Sequence, residues 1–221
     1  MNIIEIKNMR KKYADGNSEF FALKKINFTM ERGEFIAIMG RSGSGKSTFL
    51  NIVGCLAKAT EGEYLMAGED ISNCTDDELS IIRSKKIGFI FQHFNLIQNL
   101  NLYDNVSLPF LYASDSGNNL REKTLRVIKM VGLTKKINHR PHEVSGGEMQ
   151  RAAIARGIVN NPELILADEP TGNLDSHNGD IVMEIIGDIN NKGASIILVT
   201  HNEKVAAKAE KMLELNDGQF L

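Results

Sequence analysis

The sequence predicts an α/β protein with a mostly parallel sheet, an antiparallel β part near the N-terminus and a helical insertion. Short apolar runs typical of buried strands alternate with segments of helical periodicity. The first segments alternate weakly between apolar and polar residues, as edge strands do. The stretch 93–160 contains loops and helical spacing instead. We therefore expect one domain, 1–221, in which 1–92 and 161–221 form the core and 93–160 form a helical subdomain.

Each element is predicted from its local pattern. Strands are expected where apolar residues run together or alternate between glycine-rich or polar turns. Helices are expected where apolar residues recur every three or four positions or where acidic residues open a segment. The predicted strands are 4–9, 20–23, 26–30, 35–39, 60–68, 87–91, 164–168, 195–200 and 212–219, and the predicted helices are 49–56, the segment from 76, 120–133, 152–159, 181–189 and 205–211.

Composition is that of an ordinary globular protein. Of the 221 residues, 42% are hydrophobic and 24% are charged, so one good-sized core is possible. The formal net charge of −2 gives no overall electrostatic reason to expect a nucleic-acid partner, and we expect none.

The first residues, MNIIEIK, are too polar for a signal peptide, and no apolar run approaches the ~18 residues that span a bilayer. Cys55 and Cys74 lie far apart in sequence without a metal-ligand spacing, which favours a reducing compartment. We expect a cytoplasmic protein, or one held at a membrane by another protein.

The segment Gly40–Thr48, GRSGSGKST, fits the phosphate-binding spacing G-x-x-x-x-G-K-[ST] between a predicted strand and a predicted helix. Its glycines allow a tight turn that directs successive N–H groups at one anion. Lys46 supplies a charge for the β- and γ-phosphates, and Ser47 supplies a hydroxyl for Mg²⁺. The alternative is a glycine-rich turn with a chance Lys-Ser pair. The pattern indicates a nucleoside triphosphate without indicating its use.

Polar residues follow three predicted strands at the edge where the phosphate loop lies. Asp168 and Glu169 suit Mg²⁺ binding and activation of a water, respectively, although a solvated acidic pair is the alternative. Gln92 follows its strand in the same way, and its amide could reach Mg²⁺ or the attacking water. His201 could donate to the γ-phosphate or be an ordinary surface histidine.

The segment Val144–Arg151, VSGGEMQR, runs into a predicted helix. Ser145 and Glu148 suit a capping box, which is a purely structural explanation. Gly146 and Gly147 are not explained by capping, because glycine destabilises a helix. Close approach to a phosphate on another molecule would explain both glycines.

Together these residues resemble the complete, ordered motif set of the ATP-binding cassette (ABC) ATPases, over essentially the whole chain. The match consists of Gly40–Thr48, Gln92, Ser145–Glu148, 164–169, 173–176 and His201. The resemblance implies a P-loop NTPase (RecA-like) core and ATP hydrolysis with Mg²⁺.

The resemblance also implies roles for single residues. Glu169 is the expected general base, with His201, Gln92 and Lys46 as further catalytic residues. Ser47, Gln92 and Asp168 (through water) are the expected Mg²⁺ ligands. The expected ATP contacts are Tyr13, which would stack on adenine, Gly40, Arg41, Ser42, Gly43, Ser44, Gly45, Lys46, Ser47, Thr48, Ser145, Gly146, Gly147, Glu148 and Asp175.

The family implies a head-to-tail homodimer in which Ser145–Gly147 of one subunit close over ATP held by the other. Segments 50–56, 91–97 and 104–109 are similar to the MacB/LolD type of bacterial exporter ATPase. That similarity implies an integral-membrane permease, docked near Phe94–Leu108, and a position on the inner face of the cell membrane. Arg41, Val144 and Asn202 depart from the usual residues of this branch.

Other ABC classes are possible. A regulatory ATPase of the FtsE kind, which drives no transport, is poorly distinguished by sequence. A DNA-repair ATPase carries a long coiled coil before the Ser-Gly-Gly motif, and this chain has room there for a small helical lobe only.

Overall fold

A computed structural model describes residues 1–15, 18–112 and 119–221. Its strands are β1 (Asn2–Asp15), β2 (Ser18–Glu31), β3 (Phe35–Met39), β4 (Glu61–Met66), β5 (Glu69–Asp70), β6 (Ile87–Phe91), β7 (Leu164–Asp168), β8 (Ser195–Val199), β9 (Lys211–Asn216) and β10 (Gln219–Phe220). Its α-helices are α1 (Lys46–Val53), α2 (Asp76–Lys86), α3 (Leu102–Ser107), α4 (Leu120–Met130), α5 (Gly146–Ile158), α6 (Ser176–Asn191) and α7 (Glu203–Ala206), with short 3₁₀ turns at Leu108–Leu111, Thr134–Lys136 and Pro141–Glu143.

The strands form two sheets, as the predicted fold class requires. The first is antiparallel, with the order β2-β1-β4-β5. The second has the order β10-β9-β3-β8-β7-β6, and only the β9–β10 pair in it is antiparallel. A parallel sheet needs crossover connections that cover its faces. The predicted fold class is confirmed.

The central strands are apolar at successive positions because both of their faces are buried. In β3, Ile36 and Ile38 pack with the antiparallel sheet and α1. Phe35 and Ala37, on the opposite face, pack with the helices between β6 and β8. The same alternation holds in β7 and β8. The sheet therefore lies between two apolar layers, and its strand ends are left for polar residues.

All helices and 3₁₀ turns between β6 and β7 lie within 93–160, and the described part of this stretch contains no strand. Its buried residues, such as Val106 and Ile128, share one apolar cluster with the sheet. The division at residues 92 and 161 stays a prediction. In the parts of the chain that are described, no helix is long and apolar enough to cross a membrane.

Two predicted elements differ in extent. The segments 20–23 and 26–30 form the single strand β2, which bulges where Lys25 adopts a φ of 54°. The predicted helix 205–211 is only the short α7, and Lys211 already begins β9, where backbone pairing with β3 competes with helix formation. The helix predicted from residue 76 is α2, which Thr75 and Glu78 open with a capping box.

Candidate functional site: a phosphate loop and polar strand ends

The phosphate loop joins β3 to the N-terminus of α1. Gly45, the residue before α1, has a φ of 104°, and a Cβ built there would lie 2.6 Å from the carbonyl oxygen of Ala22. No side chain caps α1, whereas Thr75, Ser145 and Asp175 cap α2, α5 and α6. The first N–H groups of a helix lack partners within it and carry partial positive charge. The start of α1 is therefore suited to an anion.

Lys46 lies across this loop. Its ammonium group donates to the carbonyl oxygens of Gly40 at 2.7 Å and Arg41 at 2.8 Å. The Oγ of Ser44 is buried and has no hydrogen-bond partner among the described residues. The loop thus combines a fixed cation with an unsatisfied buried hydroxyl.

A cleft of about 570 Å³ opens above the loop. It brings together residues that are far apart in sequence and that the sequence analysis selected: Tyr13, Gly40, Ser42, Gly43, Gly45, Lys46, Ser47, Thr48, Gln92, Asp168, Glu169 and His201. Sequence reasoning missed Phe20, Phe21, Asp217 and Gly218, which also line the cleft. A larger cavity of about 810 Å³ lies at the opposite end of β7 and β8, beside Glu163 and Ser195, and contains no predicted site residue.

Glu169 lies directly after β7, and its carboxylate is held by residues that follow β8. The hydroxyl of Thr200 donates to Glu169 Oε2 at 3.0 Å. The backbone N–H of His201 donates to Oε1 at 2.9 Å, and His201 Nδ1 lies 2.6 Å from the same oxygen. These contacts link the acid to the histidine that the sequence placed at the same sheet edge. Thr200 carried no signal in the sequence beyond its position at a strand end.

Asp168, the last residue of β7, lies closer to the interior. Burial raises the pKa of its carboxyl group, the charge of Glu169 raises it further, and the charge of Lys46 lowers it. A carboxylate destabilised in this way gains from a bound cation. The environment of Asp168 therefore favours a cation-binding role over that of an ordinary solvated carboxylate.

Gln92 follows β6 and contacts the loop after β7. Its Nε2 lies 3.3 Å from Oδ1 of Asn173, and Asn173 Nδ2 donates to the Gln92 carbonyl oxygen at 3.0 Å. Gly172 is close enough that a Cβ there would lie 2.8 Å from Gln92 Nε2. The amide of Gln92 is thus restrained at the cleft by the segment that precedes α6.

Gln150, whose side chain is fully buried, ties helix α5 to the end of β6 and to the segment that follows β7. Its Nε2 donates to the carbonyl oxygen of Pro170 at 2.8 Å and lies 3.4 Å from that of Phe91. Arg156, one and a half turns further along α5, donates to the carbonyl oxygens of Phe94 and Asn95. These contacts connect α5 to the loops that carry Gln92 and Glu169.

The Ser-Gly-Gly motif forms the start of α5. Ser145 and Glu148 make the expected capping box, with Ser145 N–H donating to Glu148 Oε2 at 2.8 Å. A Cβ on Gly147 would lie 2.2 Å from Asn178 Oδ1, so this glycine has a reason within the chain. Capping leaves Gly147 unexplained, as expected, but packing against Asn178 accounts for it without a second molecule. A Cβ on Gly146 would meet nothing closer than 3.7 Å.

Several predicted ATP contacts do not line the cleft of the described chain: Arg41, Ser44, Ser145, Gly146, Gly147, Glu148 and Asp175. Asp175 instead caps α6, accepting from Asn178 N–H at 2.9 Å and from its Nδ2 at 2.7 Å. The start of α5 and the cap of α6 are therefore joined to each other through Asn178.

The residues expected to hold Mg²⁺ fit that ion. Ser47, Gln92 and Asp168 line one cleft and offer hydroxyl, amide and carboxylate oxygens, which Mg²⁺ prefers. No group of three or more His, Cys, Asp or Glu side chains among the described residues could hold a metal by itself. Mg²⁺ at phosphate sites commonly takes one or two protein ligands together with phosphate and water oxygens.

Comparison with known proteins identifies the family. The family model described as "ABC transporter" matches residues 23–172. The macrolide export ATP-binding/permease protein MacB of Mannheimia succiniciproducens is 45% identical over 221 residues, which is all of this chain and 34% of that protein. The chain thus spans about a third of the length of the MacB proteins that it matches.

Other relatives have nearly the same length as this chain. The ABC transporter ATP-binding protein YknY of Bacillus subtilis is 44% identical over 219 residues, or 99% of this chain and 95% of that protein. A dimeric, post-hydrolysis structure of the ATP-binding cassette MJ0796 with ADP and Pi, a protein of Methanocaldococcus jannaschii, superposes with a TM-score of 0.89. The two chains are 44% identical, and the match covers 98% of this chain and 96% of that one.

Proposed function

This chain belongs to the ABC transporter family and is an ABC-type ATPase, and from this premise we propose that it drives the membrane permease of a MacB/LolD-type exporter. One observation carries the proposal. The cleft gathers the phosphate loop, an aromatic side chain and the polar ends of three strands. The Ser-Gly-Gly turn of the same chain lies outside that cleft, so it could contact the nucleotide held by a second molecule.

ATP occupies the cleft in this proposal. Tyr13, whose ring is 37% exposed, stacks on adenine. The triphosphate lies on the N–H groups of Gly40–Thr48 at the uncapped start of α1, and Lys46 exchanges its loop carbonyl partners for phosphate oxygens.

Mg²⁺, when bound beside the phosphates, would neutralise part of their charge. Ser47 and Gln92 would hold it directly, and Asp168 would hold it through water. The raised pKa of Asp168 supports this role, because a nearby cation relieves the cost of its partly buried charge.

Glu169 acts as the general base of hydrolysis. Its carboxylate accepts a proton from a water that attacks the γ-phosphorus, while the β,γ-bridging oxygen leaves with ADP. The contact between Glu169 Oε1 and His201 supports the assignment. It places the expected base beside the histidine that is expected to contact the γ-phosphate.

A head-to-tail homodimer completes each site. Ser145, Gly146, Gly147 and Glu148 of one subunit close over ATP that the partner holds, and Asp175 bridges the two sites. A Cβ on Gly146 would make only ordinary contacts, at 3.7 Å to Leu174 and 3.9 Å to Phe94, so packing within the chain does not require a glycine there and close approach by another molecule would. The dimeric structures of MJ0796 support assembly of two such chains.

The permease docks in a groove beside the predicted Phe94–Leu108 segment. This groove has a volume of about 500 Å³ and is lined by Phe89, Phe91, Pro109, Tyr112 and Arg156, among others. Ile97 and Tyr112 are 48% and 77% exposed and suit an apolar partner segment. Leu96 is 8% exposed and packs in the core, so it is not a docking residue. Docking would place the chain peripherally on the inner face of the membrane.

The relatives suggest the kind of cargo. MacB is named for macrolide export, and the related PvdT of Pseudomonas fluorescens is named for pyoverdine export. Both are ATP-binding/permease proteins, whereas this chain aligns with their ATP-binding third. We propose export of an amphiphilic compound, as these names suggest, or of a lipoprotein, as the LolD resemblance implies, through a membrane permease.

Hydrolysis measured against protein concentration tests the proposal. Each site needs a second subunit, so the rate per molecule should rise with concentration before dimerisation saturates. Chelation of Mg²⁺ should stop the reaction. A monomer whose rate per molecule is full and independent of concentration would overturn the dimer and the transporter assignment.

A further inference from the structure

Thr200 is the first residue after β8 and lies level with Glu169, the first residue after the neighbouring strand β7. Asp168 pairs with Val199 in the parallel ladder. The residues that follow them, Glu169 and Thr200, therefore lie side by side at the same edge of the sheet. Thr200 has no exposed surface. Its side chain cannot touch a nucleotide in the cleft, and any effect on hydrolysis has to pass through a neighbour.

The hydrogen bonds of Thr200 have a fixed direction. Its Oγ1 accepts from the backbone N–H of Asn202 at 3.1 Å and lies 3.0 Å from Glu169 Oε2. An ionised carboxylate can only accept, so the hydroxyl proton of Thr200 must point at Glu169. Because an N–H group occupies one lone pair of the hydroxyl oxygen, rotation of that proton toward the Asn202 side is disfavoured.

The two oxygens of Glu169 are therefore distinguished. Oε2 is bound by buried Thr200, whereas Oε1 accepts from the His201 N–H, contacts His201 Nδ1 and lies on the side of the cleft. The backbone of Glu169 has a φ of 45°, a left-handed conformation that is costly for glutamate. The Glu169 N–H donates to the Val199 carbonyl oxygen at 2.9 Å and fixes the backbone. The three side-chain torsions of Glu169 must be set by contacts of its carboxylate.

We propose that Thr200 is a positioning residue for Glu169. By binding Oε2 it holds the carboxylate plane so that Oε1 is presented to the attacking water. This inference rests on the proposed role of Glu169 as the general base. It adds a residue on which the rate depends although the residue lies outside the nucleotide pocket.

The test compares Thr200→Val, which keeps the shape and removes the hydroxyl, with Thr200→Ser, which keeps the hydroxyl. A hydrogen bond to a charged group should make Thr200→Val lower kcat roughly ten- to a hundredfold, with KM for MgATP within about twofold. Thr200→Ser should restore most of kcat. Thr124→Val is the matched control, because Thr124 is equally buried and its hydroxyl donates to the Leu120 carbonyl oxygen in α4, away from the cleft.

A double-mutant cycle separates positioning from general damage to the fold. In a Glu169→Gln background, Thr200→Val should cause little further loss of kcat, because the group that it positions is gone. Nucleotide binding and thermal melting identify folded variants. If Thr200→Val does not fold, Thr200→Ala, which leaves room for water, takes its place in the cycle.

Three outcomes would overturn the inference. In the first, kcat of Thr200→Val stays within twofold of the wild type while Glu169→Gln is inactive. In the second, Thr200→Ser is as slow as Thr200→Val, which assigns the effect to packing. In the third, the losses of kcat multiply in the double mutant. Full hydrolysis by Glu169→Gln would instead refute Glu169 as the general base. Failure of the proposed function can therefore be distinguished from failure of the Thr200 inference.

Discussion

Gly147 at the start of α5 lies against Asn178 in the first turn of α6, so closely that a Cβ on Gly147 would be 2.2 Å from Asn178 Oδ1 and 2.6 Å from its Cγ. The Asn178 side chain is not free to turn away, because its Nδ2 donates to Asp175. The Ser-Gly-Gly turn and the Asp175 cap therefore form one packed unit within the chain.

We predict that Gly147→Ala destabilises the isolated protein by about 1–3 kcal/mol, the usual cost of overpacking. Urea unfolding measures the free-energy change. Replacing Asn178 by Ala in the same chain removes the two nearest atoms and should return much of the loss. An unchanged unfolding midpoint for Gly147→Ala would refute the packing argument.

Gly146→Ala is the matched control, and it separates folding from assembly. A Cβ there has ordinary contacts of 3.7 Å to Leu174 and 3.9 Å to Phe94, so the unfolding midpoint should not fall. If Gly146 approaches ATP of a partner subunit, the same variant should weaken the ATP-dependent dimer in size-exclusion chromatography. A Gly146→Ala dimer as stable as that of the wild type would count against this approach.

Glu169→Gln should lower ATP hydrolysis by roughly 10²–10⁴-fold, the usual contribution of a general base, and leave ATP binding intact. Because bound ATP is then not consumed, an ATP-dependent dimer should persist in size-exclusion chromatography. Glu163→Gln is the control: it makes the same change at the other end of β7, where Glu163 pairs with Arg32 at 2.5 Å. A Glu169→Gln chain that stays monomeric with ATP would argue strongly against the proposed interface.

Charged substitutions in the groove, at Tyr112, and in the neighbouring Phe94–Leu108 segment, at Ile97, should separate hydrolysis from membrane recruitment. Ile97→Asp and Tyr112→Asp change exposed side chains, so ATP hydrolysis by the isolated chain should be unchanged, whereas co-purification with a permease should be lost. Met212→Asp, at an exposed apolar residue of β9, serves as the control. Equal permease recovery with all three variants would rule out docking at the groove.

An ion pair that joins two neighbouring strands predicts a pH dependence of stability. Burial would raise the pKa of Glu34, but hydrogen bonds from Lys211 and from Glu31 N–H, together with the Lys211 charge, bring it below its ordinary value of 4.5. Glu34 is 13% exposed and precedes β3, and Lys211 begins the adjacent β9.

A lowered carboxyl pKa in the folded state stabilises the protein above the unfolded-state pKa, and this stabilisation is lost as pH falls through the folded-state pKa. Glu34→Gln should therefore cost about 1 kcal/mol at pH above 4.5 and progressively less in more acidic solution. Urea unfolding across this pH range provides the measurement. Glu61→Gln, at an exposed pair with Arg10, should cost less throughout. A pH-independent cost at Glu34 would contradict the assignment.

Much of the fold and most of the residues that line the cleft followed from local patterns. The spacing of Gly40–Thr48 predicts a phosphate loop because a strand, a turn and a helix start are encoded by adjacent residues. Asp168, Glu169 and His201 were found because polar residues after apolar strands meet at one edge of a parallel sheet. Ser145 and Glu148 were assigned to a cap because both partners lie within one turn of a helix.

The tertiary structure decided what depends on contacts between distant segments. It joined Thr200 to Glu169, packed Asn178 onto Gly147, placed Gln150 between the ends of β6 and β7 and buried Leu96 in the core. The sequence determined which local conformations and chemical groups this chain carries, since those depend on neighbours along the backbone. The contacts between these groups depend on how the two apolar layers pack against the sheet. Close packing determines side-chain partners that cannot be predicted from local sequence patterns.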